Sequence, residues 1–248
     1  MSHLIAFSGK GGVGKTTLAA LTVRALVEAG KTPVLAIDAD PNSCLDTSLG
    51  VEVTSTIGRA RETVREDADE AKISKQELLR LKIAEGLAEA KGFDLIAMGR
   101  PEGAGCYCYA NNVLKEAIRE LSGQYPYVVL DNEAGLENIS RRIMQALDVL
   151  ILVSDAGGAG LRTLKRLYDL AKEMGVKYNK LVLAINRTRD NSLPGAVGEV
   201  REYTNAGGVI ALPYDEEIAK CAEENLDVWK IADQNRVYRA VKQLTESQ

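Results

Sequence analysis

Two short stretches of this chain carry residues whose types and spacing could support chemistry. The first, GKGGVGKTT (residues 9–17), follows an apolar run, opens a helical pattern and satisfies G-x-x-x-x-G-K-[ST]. The second, GAGCYCY (residues 103–109), places two of the chain's four cysteines one residue apart. The first pattern predicts a site for a polyphosphate, and the second predicts a pair of thiolates that can bind one metal ion.

The glycine-rich loop predicts a phosphate site because glycines let the backbone approach an anion closely. Successive N–H groups and the N-terminus of the following helix would then point at the phosphates. Lys15 is placed to reach the β- and γ-phosphates, and the Thr16 hydroxyl to ligate Mg²⁺. We expect the loop to bind a nucleotide through Gly9, Lys10, Gly11, Gly12, Val13, Gly14, Lys15, Thr16 and Thr17.

The elements that must position these residues are short, almost continuously apolar runs that alternate with helical patterns. Such runs are typical of strands covered on both sheet faces, and the alternation favours a parallel sheet. The sequence therefore predicts an α/β fold of the P-loop NTPase type, with a mostly parallel central sheet of about seven strands wrapped by helices on both faces. The runs lie at 4–7, 33–38, 94–98, 127–131, 149–155, 180–186 and 208–213.

One stretch departs from this alternation. Residues 55–91 are heavily charged and show helical spacing but no strand pattern, so we expect a solvated helical excursion there. A docking face for a partner is the alternative. No repeat or low-complexity linker interrupts the chain, which predicts a single P-loop ATPase domain over residues 1–248.

Composition and charge disfavour several classes of function. The 248 residues carry a net charge of −4, so no global attraction to nucleic acid or anionic lipid is expected. No apolar run approaches the ~20 residues of a membrane helix, and the N-terminus lacks the features of a signal peptide. Four cysteines without such a signal favour free thiols in a reducing compartment, and the expected location is the cytoplasm.

The second residue of the loop, Lys10, gives it the form KGGxGK[ST]. This form resembles the deviant Walker A motif of the superfamily that contains MinD/ParA proteins, the nitrogenase iron protein and arsenite ATPases. Later motifs follow in that superfamily's order, so the resemblance covers the whole chain. It implies a nucleotide-sandwich homodimer in which Lys10 contacts the phosphates bound by the partner subunit. A positive charge there would offset the charge that develops on the transferring phosphoryl group.

Acidic residues at two predicted strand ends resemble the switch regions of this superfamily. AIDADPNSC (residues 36–44) is similar to the first switch, which implies that Asp40 orients or activates the attacking water and that Asp38 holds the water shell of Mg²⁺. YVVLDNEAG places Asp131 like a Walker B carboxylate, with Gly135 as the hinge of a second switch. The resemblance thus implies a catalytic set of Lys10, Lys15 and Asp40 and a magnesium set of Thr16, Asp38 and Asp131.

Two further stretches, LAINRTR (residues 183–189) and ALPYDEE (residues 211–217), concern the base. The resemblance implies that Asn186 reads adenine, that the backbone at Pro213 flanks the ring and that Asp215 meets the ribose. The guanine-reading pattern NKxD is absent, because Asn186 is followed by Arg-Thr-Arg. We therefore expect ATP rather than GTP as the nucleotide.

The cysteine pair predicts a metal site shared by two subunits. In extended backbone Cys106 and Cys108 would lie on one face, at a spacing where both can bind one ion. Two thiolates do not complete the four-ligand shell of Zn²⁺ or Ni²⁺, but a two-fold dimer presents the same pair twice. Two buried structural cysteines are the alternative. Cys44 and Cys221 match no ligand and are expected to be small packed residues.

A chain of this length with a deviant Walker loop, and with CxC ahead of its Walker B strand, resembles the CooC family, to which the acetyl-CoA synthase maturation factor AcsF is similar. These are nickel-handling ATPases that serve carbon monoxide dehydrogenase or acetyl-CoA synthase. The resemblance implies that Cys106 and Cys108 bind Ni²⁺ (or Zn²⁺), and that one of those two enzymes is the client. Since His3 is the only histidine, a His-rich nickel store is excluded.

Two other functions of the superfamily fit less well. A redox protein bridging an iron–sulfur cluster needs a cysteine just beyond the Walker B aspartate, and DNEAGLENISRR has none. Four thiolates from two CxC pairs could nevertheless hold a cluster. A MinD/ParA-like positioning or partitioning ATPase needs a membrane-binding tail or a basic DNA face. The C-terminal apolar stripe is the available candidate, and we expect it to pack onto the sheet instead: Val237, Tyr238, Val241 and Leu244.

Overall fold

A computed structural model describes residues 2–67, 73–100, 121, 123–135, 146–189 and 192–246. Within these ranges an eight-stranded sheet lies at the centre of the structure. Its strands are β1 (His3–Gly9), β2 (Val34–Ala39), β3 (Ala88–Ala90), β4 (Phe93–Ala97), β5 (Tyr127–Asn132), β6 (Leu147–Asp155), β7 (Tyr178–Thr188) and β8 (Gly208–Pro213). They follow the order β3-β4-β2-β5-β1-β6-β7-β8, and every neighbouring pair is parallel except β3 and β4.

Helices cover both faces of the sheet. Those in the described ranges are α1 (Lys15–Glu28), α2 (Leu45–Leu49), α3 (Ile57–Asp67), α4 (Lys75–Glu85), α5 (Gly158–Glu173), α6 (Ala196–Thr204), α7 (Glu216–Glu223) and α8 (Arg236–Glu246), with a 3-10 helix at Val228–Lys230. None of them is long and apolar enough to cross a membrane.

Each face of the sheet has its own apolar core, because successive strand residues point to opposite sides. Ile5 and Phe7 of β1 pack in one core with residues of α1 and α8, while Ala6 between them packs in the other with residues of α5. Two buried faces explain why the strand sequences are continuously apolar rather than alternating. The predicted α/β architecture with a mostly parallel sheet is confirmed.

The prediction that residues 55–91 contain no strand is wrong. Helices α3 and α4 agree with the helical part of the prediction, but Ala88–Ala90 pairs antiparallel with β4 at the edge of the sheet. The sequence Ala-Glu-Ala has no β-branched or aromatic residue, so it carries no strand signal. The pairing depends on a tight turn in which Gly92 has a φ of 89°. Ile57 and Ile83 are buried in a sheet core, which anchors both helices.

The C-terminal helix α8 packs its apolar stripe against the sheet face that α1 also covers. Val237, Tyr238, Val241 and Leu244 are all buried, and they belong to the same apolar core as the inward residues of α1. The prediction that this stripe serves packing is therefore confirmed.

The strand register brings the candidate chemical residues to one edge of the sheet. Asp38 at the end of β2 lies opposite Asp131 at the end of β5, and Asp131 also lies opposite Phe7 of β1. The loop between β1 and α1 begins at the same edge. Residues far apart in the chain thus meet where the carboxyl ends of parallel strands converge, the usual place for ligands in open α/β sheets.

Candidate functional site

The loop between β1 and α1 has the conformation that its glycines permit. Gly12 and Gly14 have φ values of 75° and 95°, which side chains rarely adopt. A Cβ on Gly9 would lie 2.3 Å from the Val153 carbonyl oxygen, so that position needs glycine for close packing. No side chain of the described residues caps the N-terminus of α1. Its N–H groups are therefore available to an anion.

Two lysines of the loop have opposite environments. Lys15 is only 7% exposed, and its Nζ donates to the backbone oxygen of Lys10 at 3.2 Å. Its ammonium group thus lies inside the curve of the loop, where phosphates would sit. The side chain of Lys10 is exposed, so its ammonium group is accessible from outside the loop.

Asp131 is a buried carboxyl beside the loop. It is 1% exposed, and burial raises its pKa to about 7, with Asp38 contributing in the same direction. The Thr16 hydroxyl donates to it and opposes this shift. Its Oδ1 atom has no hydrogen-bond partner within the described residues. A buried carboxylate oxygen without a donor is costly unless a cation or an ordered water meets it.

These groups fit a magnesium ion. The Thr16 hydroxyl and the Asp131 carboxylate are the hard oxygen donors that Mg²⁺ prefers, and Mg²⁺ also keeps several of its own waters. The unpartnered Oδ1 of Asp131 is the observation that favours a cation or its water shell here.

Asp38 organises the loop that follows β2. Its Oδ1 accepts from the Asp40 N–H at 3.0 Å, and its Oδ2 accepts from the N–H groups of Cys44 and Leu45, each at 2.9 Å. Burial is the main cause that raises its pKa to about 6. Asp38 therefore holds the start of α2 in place in addition to lying beside Asp131.

Cys44 is exposed, so the expectation that it is a packed residue is wrong, whereas Cys221 is buried as expected.

Asp40 is half-buried at the end of β2, and its loop fixes one of its oxygens. Its Oδ1 accepts from the backbone N–H of Asn42 at 2.8 Å and from the Asn42 side-chain amide at 3.0 Å. Sequence reasoning did not single out Asn42. Its position two residues after an aspartate is the signal of an Asx-type turn.

The backbone beyond β5 is tied to β1. The Gly135 N–H donates to the Gly9 carbonyl at 3.2 Å, and the Ser8 hydroxyl donates to the Gly135 carbonyl at 2.6 Å. Gly135 has a φ of 109°, which requires a glycine. The amide of Asn132 donates to the Phe7 carbonyl at 2.8 Å. The predicted second switch therefore begins in direct contact with the phosphate loop, and Ser8 and Asn132 are contacts that sequence reasoning missed.

A cavity of about 320 Å³ opens beside the loop between the ends of β7 and β8. Asn186 lines it, donating from Nδ2 to the Val13 carbonyl at 2.8 Å and accepting at Oδ1 from the Arg187 N–H at 2.9 Å. Each of these two atoms keeps one further hydrogen or lone pair for a ligand. Gly14, Thr17, Pro213 and Tyr214 also line the cavity.

Asp215 lines the same cavity but is engaged by the protein. Its Oδ1 caps α7 by accepting from the Ile218 N–H at 3.1 Å, and it also accepts from the Asn235 amide at 2.9 Å. A contact to a ribose would have to use its second oxygen. Arg187 and Tyr214 are lining residues that sequence reasoning missed, although both are neighbours of predicted ones.

The predicted metal ligands Cys106 and Cys108 lie outside the described residues. Within the ranges that the structure describes, no group of three or more His, Cys, Asp or Glu residues is placed to hold a metal ion.

A glycine loop joining a central strand to a helix, with a buried lysine and a carboxyl on the neighbouring strand, defines a P-loop NTPase. A family model described as an AAA domain matches residues 2–184, and the chain belongs to this family of ATPases. Family membership supports binding and hydrolysis of ATP.

The relatives of this chain include two proteins that match it over 70% or more of its length. The chain is 41% identical to an uncharacterised ATP-binding protein of Methanocaldococcus jannaschii, covering 98% of this chain and 97% of that protein. It is 32% identical to the carbon monoxide dehydrogenase accessory protein CooC of Rhodospirillum rubrum, covering 70% of each chain.

Solved structures show the same fold. A ParA family ATPase from Chlorobium tepidum matches with a TM-score of 0.73 at 19% identity and covers 100% of both chains. The septum site-determining protein MinD of Pyrococcus horikoshii, complexed with Mg-ADP, matches with a TM-score of 0.71 at 22% identity, covering 100% of this chain and 96% of that one. The chain thus has the fold of these MinD and ParA family proteins.

Proposed function

We propose that this chain is a cytoplasmic, Mg²⁺-dependent ATPase that works as a homodimer and binds nickel through Cys106 and Cys108. In this proposal the nucleotide cycle controls the metal site, and the protein assists nickel insertion into carbon monoxide dehydrogenase or acetyl-CoA synthase. The observation that carries the nickel assignment is the CxC pair in a chain 32% identical to a carbon monoxide dehydrogenase accessory protein.

Support for the ATPase comes from the site itself. The N-terminus of α1 and the buried Lys15 would bind the phosphates. Thr16 and Asp131 would hold Mg²⁺, with Asp38 at its water shell, and the ion when bound would neutralise charge on the β- and γ-phosphate oxygens.

Two charged residues would activate the attacking water and stabilise the transition state. Asp40 would orient the attacking water and accept its proton as the oxygen adds to the γ-phosphorus and ADP leaves. Lys10 would offset the developing negative charge from the partner subunit. Its exposed side chain suits that role.

The cavity beside the loop is the proposed base site. Asn186 would read the adenine edge with the hydrogen-bonding capacity its two backbone contacts leave free. Pro213 and Asp215 would border the base and the ribose.

A MinD/ParA-like positioning ATPase is the alternative function, because such proteins share the fold. A membrane-binding role would need an exposed amphipathic helix, whereas the apolar stripe of α8 is buried. ATP-dependent pelleting of the protein with anionic vesicles would favour this alternative over the nickel proposal.

The nickel proposal predicts that the two paired thiols, and not the other exposed thiol, bind the metal. Replacing both Cys106 and Cys108 by Ser should abolish tight Ni²⁺ binding, because serine hydroxyls are poor ligands for this ion. Cys44→Ser is the matched control and should bind nickel like the unaltered protein, because Cys44 is an exposed thiol that has no second cysteine one residue away. Equilibrium dialysis with Ni²⁺ measures the stoichiometry.

A further variant separates the metal site from the nucleotide site. Lys15→Ala should lose ATP hydrolysis, whereas the double cysteine variant should still bind ATP. Unchanged nickel stoichiometry after removal of both thiols would contradict the metal assignment, and full ATPase activity of Lys15→Ala would contradict the phosphate-loop assignment.

A further inference from the structure

Three side chains beside the candidate nucleotide site form a line of hydrogen bonds, two members of which, Arg100 and Asn42, have no role in the sequence motifs described above. Arg100 donates from Nη2 to the Asn42 Oδ1 at 2.5 Å. The Nδ2 group of the same amide donates to the Asp40 Oδ1 at 3.0 Å. The amide of Asn42 is therefore held from both ends, by a cation on its oxygen and by a carboxylate on its nitrogen.

These hydrogen bonds determine the orientation of the Asp40 carboxylate. Its Oδ1 accepts hydrogen bonds from both the side-chain amide and the backbone N–H of Asn42. Among the described residues, no group donates a hydrogen bond to its Oδ2. Two hydrogen bonds on one oxygen stop the carboxylate from rotating. The other oxygen is then left to face a water molecule.

The position of Arg100 is itself defined by the fold, although its side chain is exposed. Two residues earlier, the Met98 N–H donates to the Asp38 carbonyl at 2.8 Å, and the Met98 carbonyl accepts from Gly58 of α3 at 2.9 Å. Gly99 packs so closely on Thr56 that an added Cβ would lie 2.4 Å from the threonine hydroxyl. The backbone that carries Arg100 is therefore fixed to β2, the strand that leads into Asp40.

We propose that Arg100 and Asn42 are positioning residues for ATP hydrolysis, acting through Asp40. This inference rests on the role proposed above for Asp40. Arg100 orients the Asn42 amide, and the amide holds the carboxylate of Asp40 in the one orientation that leaves its second oxygen for the attacking water. Neither residue touches the nucleotide in this assignment, so both should affect the hydrolytic step and leave nucleotide binding unchanged.

Steady-state ATPase kinetics test this inference. Arg100→Ala and Asn42→Ala should each lower kcat about tenfold with an unchanged KM for ATP, the size expected for losing a charge-assisted hydrogen bond that orients a catalytic group. The double variant should be no slower than either single variant, because the two residues act in one line. Arg100→Lys keeps a donor and should recover part of the lost activity.

Controls separate this inference from the role of Asp40 itself. Asp40→Asn gives the reference, and an Asp40→Asn protein that hydrolyses ATP at the unaltered rate would refute the proposed role of Asp40. If Asp40→Asn is inactive while Arg100→Ala and Asn42→Ala keep normal kcat, the positioning inference alone is wrong. Additive losses in the double variant, or a raised KM at unchanged kcat, would also overturn it. Arg201→Ala, which removes an exposed arginine of α6, should have unaltered kinetics.

Discussion

At the scale of single residues, the site is dominated by two carboxyls that the fold buries side by side. Asp38 and Asp131 are each 1% exposed, and their pKa values rise to about 6 and about 7. Burial is the main cause for both; the charge of Asp38 further raises the pKa of Asp131, and the charge of Asp40 further raises the pKa of Asp38. Without a cation the folded protein must therefore hold protons or unfavourable charge at this edge of the sheet.

The buried Asp131 predicts a pH-dependent stability of the nucleotide-free protein. Its folded pKa of about 7 lies above the ordinary value of 3.8, so the folded state binds the proton more tightly than the unfolded state. The contribution of this group to the free energy of unfolding is fully present below pH 3.8 and is lost as the pH rises through 7. In Asp131→Asn this loss should be absent, so that the variant gains roughly 4 kcal/mol over the unaltered protein between acidic pH and pH 8.

Urea unfolding at several pH values, without Mg²⁺ or nucleotide, measures this difference. Glu199→Gln, which alters an exposed side chain on α6, should follow the pH dependence of the unaltered protein. Parallel pH curves for Asp131→Asn and the unaltered protein would show that Asp131 does not carry the effect.

At the scale of elements, a buried arginine joins α1 to the C-terminal part of the chain. Arg24 is 3% exposed and donates from Nη1 to the carbonyls of Val228 and Ile231 at 2.8 and 2.6 Å. Its Nε pairs with Glu28 at 2.7 Å, and its guanidinium lies 4.1 Å from the centre of the Tyr238 ring. One side chain thus holds α1, the 3-10 helix and α8 together.

Removing this junction should destabilise the protein. Arg24→Ala leaves two buried carbonyls without their donor and removes the cation that pairs with Glu28 and Asp233, which predicts a loss of about 3 kcal/mol in the free energy of unfolding. Arg239→Ala, which removes an exposed arginine of α8, should change that free energy by less than about 0.5 kcal/mol. Urea denaturation followed by circular dichroism compares the two, and equal midpoints would show that the junction is not stabilising.

At the scale of the whole molecule, the proposed chemistry needs two copies of the chain. Lys10 is exposed at the mouth of the phosphate loop, and one CxC pair supplies only two of four ligands. A two-fold dimer would complete both the nucleotide site and the metal site, because each subunit presents the same surface to the other.

The dimer predicts a nucleotide-dependent change in mass. Sedimentation velocity should show association of the unaltered protein with Mg²⁺ and ATP, and Lys10→Ala should weaken that association and slow hydrolysis, because a contact to the partner's phosphates is lost. Lys177→Ala removes an exposed lysine at the opposite edge of the sheet and should dimerise normally. A protein that stays monomeric with every adenine nucleotide and divalent ion would rule out the shared sites.

Much of the fold could be predicted because its strands are buried on both faces. Seven apolar runs of the sequence correspond to β1, β2, β4, β5, β6, β7 and β8. The eighth strand, Ala88–Ala90, escaped prediction because an edge strand of small and charged residues is formed by its partner and its turn rather than by its own composition. The sequence likewise did not predict that Asp38 and Asp215 hold the N-terminal ends of α2 and α7. Those roles depend on which backbone N–H groups lie within hydrogen-bond distance of the two carboxylates.

The sequence by itself determined the phosphate loop, since glycines that permit left-handed backbone, a lysine and a threonine must be adjacent in the chain to act together. It also determined that the sheet is mostly parallel and is covered on both faces. Only the tertiary structure decided that Asp38 and Asp131 share one buried edge and that Arg100 reaches Asp40 through Asn42. Those contacts join residues up to about 90 positions apart, and strand order and register, which set such distances, arise from packing of the whole sheet rather than from any local pattern.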